Sequence, residues 1–156
     1  DSPQHTVVLS SDYYMCKYEV TRSLWYAIMN DSIVTEEGML PMTHITWNDA
    51  EAFTKKLNKL TGLPFSLPTE AQWEYAAAGG ESYPYAGSDN IRDVAYYASN
   101  ANERLHPVGE KRENGFDLYD MSGNAAEWCT DWMSRYENTR VTDPQGPAEN
   151  PGHHKR

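Results

Sequence analysis

Apolar and polar residues alternate through the first twenty positions and then shift to helical spacing, and these two periods organise the front half of the chain. Residues 5 to 9 and 13 to 20 read as strands; in the second, Tyr14, Cys16, Tyr18 and Val20 share one side and Lys17 and Glu19 the other. Thr21 then caps a helix through about Met29, with Leu24, Trp25 and Ile28 on one stripe. Thr46 to Asp49 has the form of a helix-start box, and Ala50, Phe53, Leu57 and Leu60 follow at helical spacing until Gly62 ends the run, leaving Lys55, Lys56 and Lys59 as its wet face. A short strand over 65–67 leads to Thr69 and Gln72, spaced as a capping box, and to a third helix through about Ala78 that turns Trp73, Ala76 and Ala77 to the core before Gly79 and Gly80 stop it.

Elsewhere periodicity fades. Residues 30 to 42 read as a polar surface insertion with solvated acids, and residues 81 to 106 as long ordered loops. There Tyr83, Tyr85, Tyr96 and Tyr97 are expected to pack beneath the loops, a ligand surface being the alternative. From Val141 onward the composition is that of a loop, with the last ten residues mobile unless something covers them.

Composition narrows the function classes. At 156 residues and 39% hydrophobic the chain can bury a core. A net charge of −10 argues against tracking nucleic-acid phosphates and against an anionic membrane surface, and no apolar run approaches the roughly 18 residues of a membrane span. The start lacks the basic-then-apolar pattern of a signal peptide. Cys16 and Cys129 each read as a small buried side chain, and a disulfide between them stays open because sequence does not supply the Cα separation. The histidines 5, 44, 106, 153 and 154 show no metal-ligand spacing and read as surface or capping residues; Glu70 and Glu74, four apart on a helix, mark its solvent face rather than an acid–base pair.

The densest chemistry lies in residues 114–132, NGFDLYDMSGNAAEWCTDW. Asn114-Gly115 is a turn pair, Phe116, Leu118 and Met121 suggest a short, partly buried strand, and Ser122-Gly123-Asn124 breaks it, so that Asp120 and Glu127 stand at opposite ends of a tight loop. Ca²⁺ takes about six to eight oxygens from carboxylates and turned-in carbonyls, and Asp120 and Glu127 by side chain with Gly123 and Ala125 by main chain would offer such donors. Spacing alone leaves a second reading, solvated loop carboxylates, since this is no EF-hand.

The run GFDLYDMSGNAAEW, together with Tyr18-Glu19-Val20-Thr21, the run Leu67 to Ala76 (LPTEAQWEYA) and Pro107-Val108-Gly109, closely resembles the formylglycine-generating enzyme (sulfatase-modifying factor) family from about His5 to Asp143. The resemblance implies a C-type-lectin-like α+β fold with structural Ca²⁺, its ligands matching Asp120 and Glu127 by side chain and Gly123 and Ala125 by backbone oxygen. Ala126 stands where the family commonly has Trp. The catalytic members use a copper-binding cysteine pair, to which neither Cys16 nor Cys129 aligns; the family's initial GGxFxMG-like strand and RGGSW-like later part have no counterpart in residues 1–156. The expectation is therefore a single domain over 1–156, non-catalytic, stabilised by calcium and binding a protein or glycan partner. The alternative is the N-terminal part of a copper-dependent oxidase that converts a sulfatase cysteine. The missing strands imply an open sheet edge completed by a further segment or chain, and family habit with millimolar extracellular calcium implies a secreted, periplasmic or cell-surface setting.

Overall fold

Helix ends are where local chemistry acts most directly: all three expected helices begin where their capping residues stand, and the second and third also end at theirs. The computed structural model describes residues 3–29, 37–148 and 154–156. Helix α1 (Arg22–Met29) starts after Thr21, whose Oγ1 accepts from the Leu24 N–H. Its other first-turn donors are satisfied by the returning loop: Arg22 N–H reaches Leu40 O at 2.9 Å and Ser23 N–H reaches Gly38 O at 3.0 Å, while Arg22 pairs with Glu37. This part of the expected insertion is thus a cap for α1; residues 30–36 lie outside the described residues. Helix α2 (Trp47–Thr61) carries a full capping box from Thr46 and Asp49 and closes on Gly62 at φ 73°. Helix α3 (Glu70–Ala78) repeats the device with Thr69 and Gln72, and closes on Gly79 at φ 62°.

Packing then selects among the apolar stripes. Trp25 of α1 stacks on Phe53 of α2 with ring centroids 4.9 Å apart and planes within 4°, and Ala50 is buried beside them, whereas Leu24 and Leu60 are exposed. A second cluster joins Ala76 of α3 to Ala86, Leu118 and Met121, with Met15, Trp73 and Ala77 against it. A fourth helix, α4 (Ile91–Val94), absent from the sequence reading, interrupts the long loops; Asn90 caps it and Val94 is fully buried.

Strands are shorter than the alternation suggests. Only β1 (Val7–Val8) of the 5–9 run is a strand, and it pairs in parallel with β2 (Val141–Thr142), Val7 opposite Val141. This early–late pairing is made within the chain. Residues 13–20 and 65–67 are not strands. The expected faces of 13–20 are also reversed: Tyr14 and Cys16 are exposed, while Met15 packs on the core and Glu19 is 9% exposed. Cys16 and Cys129 are both free thiols, and only Cys129 is buried. The expected strand over 116–121 is a series of turns, because Asp117 and Asp120 adopt φ of 59° and 61°. Asn114 explains the turn: buried, it donates to the Ala76 and Ala77 carbonyls at the end of α3 and accepts from Phe116 and Leu118 N–H.

Candidate functional site

The loop from Asp120 to Glu127 is built by residues in unusual backbone states. Asp120 and Asn124 take left-handed φ of 61° and 67°. Between them a Cβ on Gly123 would lie 2.2 Å from Tyr96 O, so only glycine lets the loop lie this close to the 95–97 segment. Asn124 N–H bonds Tyr96 O at 2.9 Å and Gly123 N–H bonds Asp120 O at 3.3 Å, closing the curl.

Asp120 points inward and is 3% exposed; its Oδ2 accepts from Gly109 N–H at 2.8 Å, and its Oδ1 is buried with no hydrogen-bond partner. A buried, unmatched carboxylate oxygen is expensive unless a cation or donor meets it. Glu127, at the far end, is exposed as a residue, and its Oε2 accepts from the Trp73 indole N–H at 2.9 Å. Burial raises the pKa of Glu127, and the charge of Asp120 adds to the rise.

A third carboxylate joins them, one that sequence reasoning assigned to the opposite face of its run. Glu19 accepts from Ala125 N–H at 2.9 Å and from Asn124 Nδ2 at 2.7 Å, tying the early segment to the loop. Burial pushes its pKa up to about 8 against those two hydrogen bonds, and the charges of Asp120 and Glu127 add to the rise. Burial likewise raises Asp120, with Glu110 contributing, and crowding by protein raises Glu127 despite its exposed position. The donor set fits a hard cation in kind, being all oxygen with one orphaned, although among the described residues no three acidic, His or Cys side chains converge on one point. Closure would fall to carbonyls such as those of Gly123 and Ala125.

His106 was also misplaced as a surface residue. It is buried, stacks on Tyr96 with centroids 3.6 Å apart, and exchanges backbone and amide hydrogen bonds with Asn124 at 3.0 and 3.1 Å. Its Nε2 lies 3.0 Å from Ala101 O. No spacing signal marks this role, which depends on residues eighteen positions apart.

Residues 1–153 match the model of the sulfatase-modifying factor enzyme 1-like domain. The chain belongs to that family. Among its relatives, the chaperone protein LppX of Paenibacillus barcinonensis is 31% identical, the alignment covering 86% of this chain and 68% of LppX. The formylglycine-generating enzyme of Streptomyces coelicolor is 38% identical over 75% of this chain, which spans only 41% of the enzyme. Treponema denticola variable protein 1 superposes with a TM-score of 0.80 at 28% identity, over 97% of this chain and 74% of that one. The α+β fold and the family resemblance carried by the sequence motifs both stand on these matches. Among the described residues no helix is long and apolar enough to cross a membrane.

Proposed function

We propose that this family domain is a non-catalytic binding module whose 120–127 loop is braced by Ca²⁺ through Asp120, Gly123, Ala125 and Glu127, and that it holds a protein or glycan partner outside the cytoplasm. The observation carrying the metal reading is the buried Asp120 Oδ1 without a partner, beside Glu19 and Glu127 whose pKa values are also raised. A cation there removes the mutual repulsion and supplies the missing contact; Glu19 then holds the loop from behind through Ala125 and Asn124. A family relative named as a chaperone supports a binding role. So does the state of the thiols: burial pushes Cys129 up to about 12, assisted by Asp131, Glu70 and Glu127, which keeps it from the thiolate form that attacks or binds metals.

The second reading, the front part of a copper-dependent formylglycine-generating oxidase, is favoured by the likeness to the Streptomyces enzyme. Thermal melts with calcium or chelator test the metal. At a hundredfold excess over Kd, calcium should add about 2.7 kcal/mol, or roughly 5–10 °C. Asp120→Ala and Glu127→Ala should each lower the melt and abolish that rise; equal melts with and without chelator would remove the calcium claim. Incubating the natural full-length protein with copper and a sulfatase-type cysteine peptide separates the two functions, since formation of formylglycine would overturn the non-catalytic reading.

A further inference from the structure

The geometry points to a site for a single phosphate or sulfate group, formed by Arg92 and Lys111 with the hydroxyls of Ser99 and Tyr97. For Tyr97 the sequence leaves both packing and a ligand surface open; the fold leaves it half-buried, with Arg92 and Ser99 exposed beside it.

The backbone around this cluster is pinned from two sides. Arg112 N–H bonds Asp93 O at 3.0 Å and the Arg112 guanidinium donates to Gly87 O, which holds α4 against the 111–112 segment. Asn100 closes the following turn: its Oδ1 accepts from Tyr97 N–H at 2.7 Å, its N–H bonds Tyr97 O at 2.9 Å, and its Nδ2 donates to Ala95 O at 3.0 Å. That turn returns Ser99 to Tyr97. Lys111 is held twice, donating to Arg92 O at 2.8 Å and lying 4.6 Å over the Tyr96 ring. An ammonium has three donors, and this carbonyl takes one.

The positive charges meet at one oxygen. The Ser99 hydroxyl and the Arg92 guanidinium both hydrogen-bond the Tyr97 hydroxyl, and with the charges of Arg92 and Lys111 they hold its pKa below the ordinary 10.0. What favours a phenolate there favours any anion brought to the same point. The acids next to these cations in the chain are engaged elsewhere: Asp93 accepts from Ser88 Oγ at 3.1 Å and Asn90 Nδ2 at 3.2 Å, and Glu110 accepts from the Tyr96 hydroxyl at 2.9 Å. A chain of net charge −10 thus keeps a local cationic point, suited to one anionic group and not to a polyanion. A guanidinium fork, an ammonium and two hydroxyls match a tetrahedral oxyanion, which presents acceptors on every side. None of the proposed calcium ligands belongs to this site, so it stands or falls separately from them.

An NMR titration of the full chain, isotope-labelled on its amides and tyrosine rings, tests it. Sodium phosphate and sodium sulfate are added in separate arms at constant ionic strength, with chelator present to keep calcium out. The Arg92, Ser99 and Lys111 amides should shift saturably with at least one of the two, the tighter naming the group, and the bound anion should raise the Tyr97 pKa. Arg92→Gln should weaken binding at least about tenfold, whereas Lys59→Gln, on the exposed face of α2, should bind as the parent does. Shifts no larger than those from an equal addition of sodium chloride, or undiminished binding by Arg92→Gln, would overturn the proposal. Should Arg92→Gln lose its folded amide spectrum, Ser99→Ala decides: a Tyr97 pKa raised toward its ordinary value with weaker binding supports the site, and no change in either overturns it.

Discussion

Glu19 shows how one residue can be legible in type and hidden in role. Its carboxyl has an ordinary pKa of 4.5 and is pushed up to about 8 in the fold, so burial favours the neutral form. A raised acid contributes stability that is complete below about pH 4.5 and is lost as pH rises through the folded value. Asp120 and Glu127, also raised, act in the same direction. In chelator, the parent should therefore lose on the order of a few kcal/mol between pH 5 and pH 8. Glu19→Gln should flatten that slope while starting about 1 kcal/mol lower at pH 5, because its amide NH₂ cannot accept from Asn124 Nδ2. Urea melts across this range read both effects; a slope unaltered by the substitution would show that Glu19 does not titrate there. Sequence periodicity placed Glu19 outside because alternation identifies two faces but not which one is buried. The pairing with Ala125 and Asn124, more than a hundred positions away, decides that.

At the scale of elements, the three longer helices were readable because their signals act over three or four residues. Thr46 with Asp49, Thr69 with Gln72, and Gly62 and Gly79 at the ends all perform the expected roles. What joins α1 to α2 is the Trp25–Phe53 stack, and Phe53→Ala should destabilise the domain by about 3–5 kcal/mol, measured by chemical denaturation. Leu60→Ala, in the same predicted stripe but 61% exposed, should change stability by less than about 1 kcal/mol. If the two variants proved equal, the stack would not be the anchor. The run 116–121 was misread for a related reason: its apolar residues suggested a strand, but the Asn114 side chain donates to the α3 carbonyls and accepts from the N–H groups that follow, drawing them into turns.

For the whole molecule, the two cysteines report separately on surface and core. Cys16 is exposed and Cys129 buried with its thiol pushed up to about 12. Native protein treated with iodoacetamide at pH 8 should take up one label, at Cys16, and Cys129 should react only at the rate of global opening. Peptide mapping by mass spectrometry checks this; early labelling of Cys129 would mean that its segment opens locally. The contrast matters because Cys129 N–H anchors the Arg156 carbonyl, and the carboxylate loop ends two residues before it. One segment thus links the candidate cation site to residues 154–156.

Local sequence carries the three longer helices, the family with its α+β fold, and the loop that holds Asp120 and Glu127, because caps, turn residues and linear motifs are written in neighbouring positions. Long-range packing sets the rest: Glu19 faces the loop, His106 is buried on Tyr96, Asp120 keeps an unmatched oxygen, and Lys155 lies between Trp47 and Trp132. Burial and electrostatic coupling are properties of groups brought together across the chain. No local pattern encodes which distant partner will desolvate a charge or meet it.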